Sequence, residues 1–174
     1  MITFYYEIKS LIDRAQIESI LFVKSIENKD TGLPQLEELA IADEDEKYIR
    51  KLLKNVANEI YERLSLYSRT LADLEVPLEG FEFEGIYTPD EGDPVTDCII
   101  FRIIEPTYFD KEVMLPLENA IENALINHAV SEFLFRNGVD GSVHLQRYLK
   151  NKDDILTYII RRTKLKRTIN FLNL

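Results

Sequence analysis

Between residues 43 and 67 the chain repeats apolar side chains at Ile49, Leu52, Leu53, Val56, Ile60, Leu64 and Tyr67. That spacing of three and four places them on one face of a helix with a period of 3.6, and no strand reproduces it. A stripe this long must be buried, so it commits the chain to packing helices against one another. The spacing predicts a helix over 44–68. Glu46 with Arg50, and Glu59 with Arg63, fall four residues apart with the acid first, the favourable order for helix ion pairs.

Four acids, Asp43 to Glu46, precede the stripe. They suit a helix start better than a metal or catalytic cluster. Asp43 is positioned to cap and Glu46 to reach back as in a capping box, and first-turn acids complement the positive end of the helix dipole.

Three further helices follow from the same periodicity. Phe4, Ile8, Leu11, Ile12, Ala15, Ser19, Phe22 and Val23 predict one over 4–26. A third spans 116–136, with Leu117, Ile121, Ala124, Leu125, His128 and Phe135 inward, Pro116 in its first turn and Asn137-Gly138 as its stop. A fourth covers 142–166, with Leu145, Tyr148, Leu149, Leu156, Ile159 and Ile160 inward. Asn151 to Asp154 form a possible break within it.

Between the second and third helices the period drops to two. In 81–87 Phe81 and Phe83 alternate with Glu82 and Glu84, and 98–104 is β-branched and apolar. With the turn residues of 88–97 between them, they predict a β-hairpin over 81–104. A lone hairpin is marginal in water, so one face must pack on the helices or on another subunit. Phe81, Phe83, Phe101 and Ile103 are its candidate contact residues. The expected fold is therefore mainly α: a four-helix bundle-like single domain over 1–174 with an inserted β-hairpin at 81–104.

The formal net charge of −10 argues against wholesale coating of nucleic acid. Its placement is uneven. From Gly141 onward there are eight Lys and Arg against Asp153 and Asp154, a surplus of six, which leaves −16 on residues 1–140. An acidic body with a basic tail suggests self-association, an acidic partner or local nucleic-acid contact. A plainer reading is a solvated helix end whose dipole favours cations.

Chemistry has little footing. Cys98 is the only cysteine, so an intrachain disulfide is excluded, and it reads as a small buried residue. His128 lies on an apolar face without a nucleophile, an orienting carboxylate or a second ligand at metal spacing. It reads as a hydrogen-bonded, half-buried histidine. His144, in a first turn after Gly141, reads as a surface residue. Asp90, Glu91, Asp93 and Asp97 lack the ligand spacing of an EF-hand and read as turn residues. No phosphate loop, nucleophile elbow, dinucleotide fingerprint or CxxC occurs. The expectation is no catalytic site, no metal and no cofactor. No apolar run reaches the roughly 18 residues needed to span a bilayer, and the N-terminal stretch lacks the basic start of a signal peptide.

Two stretches carry a family resemblance. "DEDEKYIRKLLKNVANEIYERL" (43–64) and "LPLENAIENALINHAVSEFLFRNG" (115–138) resemble the opening and later helices of the head–tail connector proteins of tailed bacteriophages. The first matches an acidic start on a long amphipathic helix. The second matches a helix that begins near a Pro, packs alanines among apolar residues and ends in an Arg-containing turn. Together they cover under a third of the chain. The long first helix and the sizeable hairpin depart from the family pattern.

The resemblance implies a virion structural protein made in the host bacterial cytoplasm. It would be a subunit of a homo-oligomeric ring, commonly of twelve, that joins the portal to the tail and continues the DNA channel. Its partners would be the portal and tail proteins, with passing DNA touched non-specifically at most and no membrane. Family connectors often dock through their C-terminal segments. That role falls on the basic–apolar docking tail at 161–174, through Arg161, Arg162, Lys164, Lys166, Arg167, Ile169, Phe171 and Leu172. The alternative is a soluble, non-enzymatic adaptor that binds a protein partner through its hairpin or tail.

Overall fold

A computed structural model describes residues 2–27, 40–72, 81–87, 98–103 and 109–161, with residues 2, 26–27, 63–72, 81–87 and 102–103 by backbone alone. The chain runs β1 (Ile2–Glu7), α1 (Ile8–Glu27), α2 (Glu46–Ala72), β2 (Phe81–Tyr87), β3 (Cys98–Ile103), α3 (Met114–Arg136) and α4 (Ser142–Ile160). Short 3-10 turns at Asp43–Asp45 and Lys111–Val113 lead into α2 and α3. The expected mainly α fold with an inserted hairpin is the fold observed.

α3 is the axis of the body. It packs on α1, α2 and α4, and it buries residues on most of its circumference, from Leu117 and Ala120 to Phe133 and Leu134. A helix apolar on all sides belongs inside a bundle. Leu117, Ile121, Ala124 and Leu125 are fully buried, and a buried leucine or isoleucine contributes about 1.5–3 kcal/mol relative to exposure. Phe135, expected inward, is 43% exposed, while Phe133 and Leu134 beside it are buried. The Arg136 guanidinium lies 4.2 Å from the Tyr48 ring centroid, which sets the end of α3 against the start of α2.

The sheet has one strand more than the hairpin alone. Its order is β1-β3-β2, with both pairings antiparallel. Residues 4–7, expected in the first helix, belong to β1, and α1 begins at Ile8. Phe4 and Tyr6 are buried while Tyr5 between them is 63% exposed, an alternation of period two. Phe4 fits both periods, because Phe4 and Ile8 are also four apart. Pairing with β3 removes the weakness of an isolated hairpin. A bulge between Phe83 and Gly85 shifts the β2 register by one residue. The hairpin tip, with the acidic residues of 90–97, lies outside the described residues.

α2 starts with different cap residues from those expected. Asp45, not Glu46, closes the turn: Ala42 N–H donates to Asp45 Oδ2 at 3.1 Å, and Asp45 N–H donates to Ala42 O at 3.0 Å. Asp43 instead accepts from Gln16 Nε2 at 3.1 Å, tying α2 to α1, and Glu46 pairs with Arg50 at 3.2 Å. The acids do start a helix, but a 3-10 turn moves each role by a residue or two. Ser19, fully buried, donates to Gln16 O at 2.8 Å and accepts from Ile41 N–H at 3.0 Å, holding the approach to that turn.

α3 stops as its sequence suggests. Gly138 takes φ +75°, and Val139 N–H reaches back to Leu134 O at 2.9 Å, the wide loop of a Schellman close. α4 is continuous through 151–154, so no cap forms at Asn151. It ends at Ile160, and its expected continuation over 162–166 lies outside the described residues. Its inward face is His144, Tyr148, Ile155 and Ile159, whereas Leu149 and Ile160 are 48% and 46% exposed.

Candidate functional site

The candidate contact residues of the hairpin separate on inspection. Phe101 is fully buried and meets Tyr6 edge-to-face at 6.0 Å, so it is a core residue of this subunit. Ile103 pairs with Ile2 and Phe81, and Phe83 pairs with Phe101, by backbone. The side chains of Phe81, Phe83 and Ile103 lie outside the described set. Cys98 is buried, as expected.

In the docking tail, Arg161 is the described residue. It leaves α4 in extended conformation and donates Nε–H to Asp110 Oδ2 at 3.0 Å. Asp110, itself mostly buried, also accepts from Glu112 N–H at 3.1 Å. The root of the tail is thereby fixed beside the start of α3. Arg162, Lys164, Lys166, Arg167, Ile169, Phe171 and Leu172 lie outside the described residues.

Two arrangements that no sequence pattern announces are more informative. The first is a groove of about 390 Å³ between β1 and the first two turns of α3. Tyr6 crosses beneath it and donates its phenol to Glu118 O at 3.1 Å. Burial, and then the carboxylates of Glu118 and Glu122, push that phenol far above the ordinary tyrosine range, so it stays a donor. Tyr5 and Leu115 stand over the groove with 63% and 65% exposure. Glu7, Glu118 and Glu122 bring carboxylates to it. Glu122 is paired with Arg14. The surface is apolar and acidic together.

The second is a polar cluster joining α2, α3 and α4. Tyr148 donates to Glu59 Oε2 at 2.6 Å, and Lys152 binds Glu59 Oε1. Burial works against the Glu59 carboxylate, but the bonds from Lys152 and Tyr148 outweigh it and hold its pKa below the usual carboxylate value. Glu59 thereby ties α2 to α4, and the side chain of Arg63, its expected partner, lies outside the described residues.

His128 stacks edge-to-face on Tyr148 at 4.7 Å, and its buried Nδ1 has no hydrogen-bond partner among the described residues. The expected hydrogen bond is not seen at that nitrogen among the described residues. Burial holds its pKa low against the raising effect of Glu132 and Glu59. His144, expected at the surface, is 1% exposed. α1 covers it: Phe22 lies 5.1 Å away edge-to-face, while His144 Nδ1 bonds Asn127 Oδ1 at 3.0 Å. Burial, and then Arg147, lower its pKa.

The Tyr148–Glu59–Lys152 cluster lies within a helix packing and pairs its own charges. Among the described residues no group of three His, Cys, Asp or Glu is placed to hold a metal ion, and no helix is long and apolar enough to cross a membrane. Comparison with protein-family models, curated proteins and solved structures returns no match.

Proposed function

We propose that the chain is a non-enzymatic structural protein, a subunit of the ring that joins portal to tail in a tailed bacteriophage. The observation that carries this reading is the packing of α2 on α3. The two stretches that resemble connector proteins thus become neighbouring helices of one body. The surface suits assembly. Ile17, Ile20 and Leu21 form an exposed apolar strip on the outer side of α1, and such strips mark contact surfaces when they are contiguous. The acidic body suits a channel wall, since it does not hold passing DNA phosphates. The tail, rooted at Asp110, is the segment that meets the portal or the tail proteins.

The test is native mass spectrometry of the full chain, alone and mixed with its cognate portal ring. A closed oligomer, or a ring bound to the portal, is expected. A chain that remains monomeric at high concentration in both samples sinks the ring reading and leaves a soluble adaptor. The exposed groove beside β1 favours that second reading.

A further inference from the structure

β1 is an edge strand, since the sheet order leaves one of its sides unpaired among the described residues. An open edge offers unpaired N–H and C=O groups to any extended segment that reaches it. Here the edge adjoins a groove with Tyr5 and Leu115 exposed above it and carboxylates of Glu7 and Glu118 that have no ion-pair partner among the described residues. Strand addition to such an edge takes affinity from the main chain and selectivity from the neighbouring side chains. The matching ligand is a segment that alternates cations with apolar residues and carries no acid.

The chain contains one. Residues 162–174 hold Arg162, Lys164, Lys166 and Arg167 with Leu165, Ile169, Phe171 and Leu172, and no Asp or Glu. Its starting point is fixed close by. Arg161 is held at Asp110, five residues before Leu115. Thirteen extended residues span about 40 Å, whereas a six-residue strand such as β1 covers about 20 Å. A tether this short holds the segment near its site at an effective concentration in the millimolar range.

We propose that the β1–α3 groove is the docking site of this chain's own segment 162–174. The free edge of β1 would take the segment as an added strand, with Glu7 and Glu118 matching its cations and Tyr5 and Leu115 its apolar residues. The inference does not rest on the connector reading. In any assembly, however, a partner that takes the tail must first draw it from this groove.

Amide exchange measured by NMR on the full chain tests it. The β1 amides facing the open edge are expected to be protected. Reversing the tail charges with Lys164→Glu, Lys166→Glu and Arg167→Glu should lower that protection by about ten-fold or more while leaving α3 unchanged. Adding Glu7→Lys and Glu118→Lys to the reversed chain should restore it. Edge amides that exchange equally fast in the unaltered and reversed chains overturn the proposal.

A labelled peptide of residues 162–174 provides a second measurement, with the tail-reversed chain as receptor. Binding that Leu115→Asp abolishes is expected, and absence of binding counts against the groove. Isotope-labelled reversed chain mixed with unlabelled native chain separates the sources. Edge protection that rises with native-chain concentration gives the groove to a neighbouring copy and overturns the intramolecular assignment.

Discussion

Tyr148 donates its phenol proton to Glu59 at 2.6 Å, across 89 positions of sequence, and so fixes α4 against α2. The bond is charge-assisted, and such bonds are stronger than those between neutral groups. Lys152 completes the cluster on the second carboxylate oxygen.

Tyr148→Phe removes one donor and leaves Glu59 its lysine. The expected loss is about 1–2 kcal/mol, within the range for bonds to a charged group. Glu59→Leu should cost more, because it strands both Tyr148 and Lys152, whose side chain is only 11% exposed. Urea denaturation of the three chains gives the order directly. Equal stability of Tyr148→Phe and the unaltered chain would show the bond to be energetically idle.

Both histidines predict a fall in stability on mild acidification. Their folded pKa values lie below the ordinary 6.5, so below that pH the unfolded chain binds more protons than the folded one. Stability is then full above about pH 6.5 and declines as pH falls toward the folded values. Glu59, also depressed but from 4.5, adds a separate loss at lower pH. Replacing His128 by Leu should flatten the upper part of the profile without lowering stability at pH 8, since the unpartnered Nδ1 gives it no bond to lose. Melting temperatures across pH 4.5–8 measure this.

The turn between α3 and α4 predicts a steric limit. A Cβ built on Gly141 falls 2.7 Å from Ser131 O and 3.1 Å from Ser131 Cα, backbone atoms that cannot step aside. Gly141→Ala should cost about 1–3 kcal/mol, as overpacking does elsewhere. Gly138 differs: its added Cβ has open space, and the penalty for Gly138→Ala comes from φ +75° alone. Thermal melts of the two variants separate the causes, since Gly138→Asn should recover much of the loss and Gly141→Asn none.

How far the sequence discloses this molecule depends on the range of the interactions. α2 and α3 are legible because their stripes are long and each helix carries its own period. The start of β1 is not, because Phe4 and Ile8 satisfy a helical period while Phe4 and Tyr6 satisfy a strand period. Only the partner β3, more than ninety residues on, decides between them. His144 follows the same logic. Its local setting after Gly141 is that of an exposed first turn, and the ring that buries it belongs to Phe22. At the start of α2 the capping rule points to Asp43 and Glu46, but a 3-10 turn passes that role to Ala42 and Asp45. The β1–α3 groove is invisible in sequence. Tyr5 and Leu115 belong to neither predicted stripe, and only the fold sets the strand and the helix side by side.

The contact between Asp110 and Arg161 yields the last expectation. Asp110 performs two tasks: it accepts Glu112 N–H at the turn into α3 and holds Arg161 at the end of α4. Asp110→Asn keeps an oxygen for the turn but removes the charge that binds the guanidinium. Asp110→Ala removes both. If capping dominates, Asn should be nearly neutral and Ala should cost about 1 kcal/mol. If the ion pair dominates, the two should be alike, but its arginine is 55% exposed, and such pairs contribute little after solvent screening. The expected result is therefore the first pattern in stability, read by urea denaturation. Limited proteolysis reads the tether separately, and both variants should be cut faster just after Arg161 than the unaltered chain, because the Asp110 ion pair is lost in each.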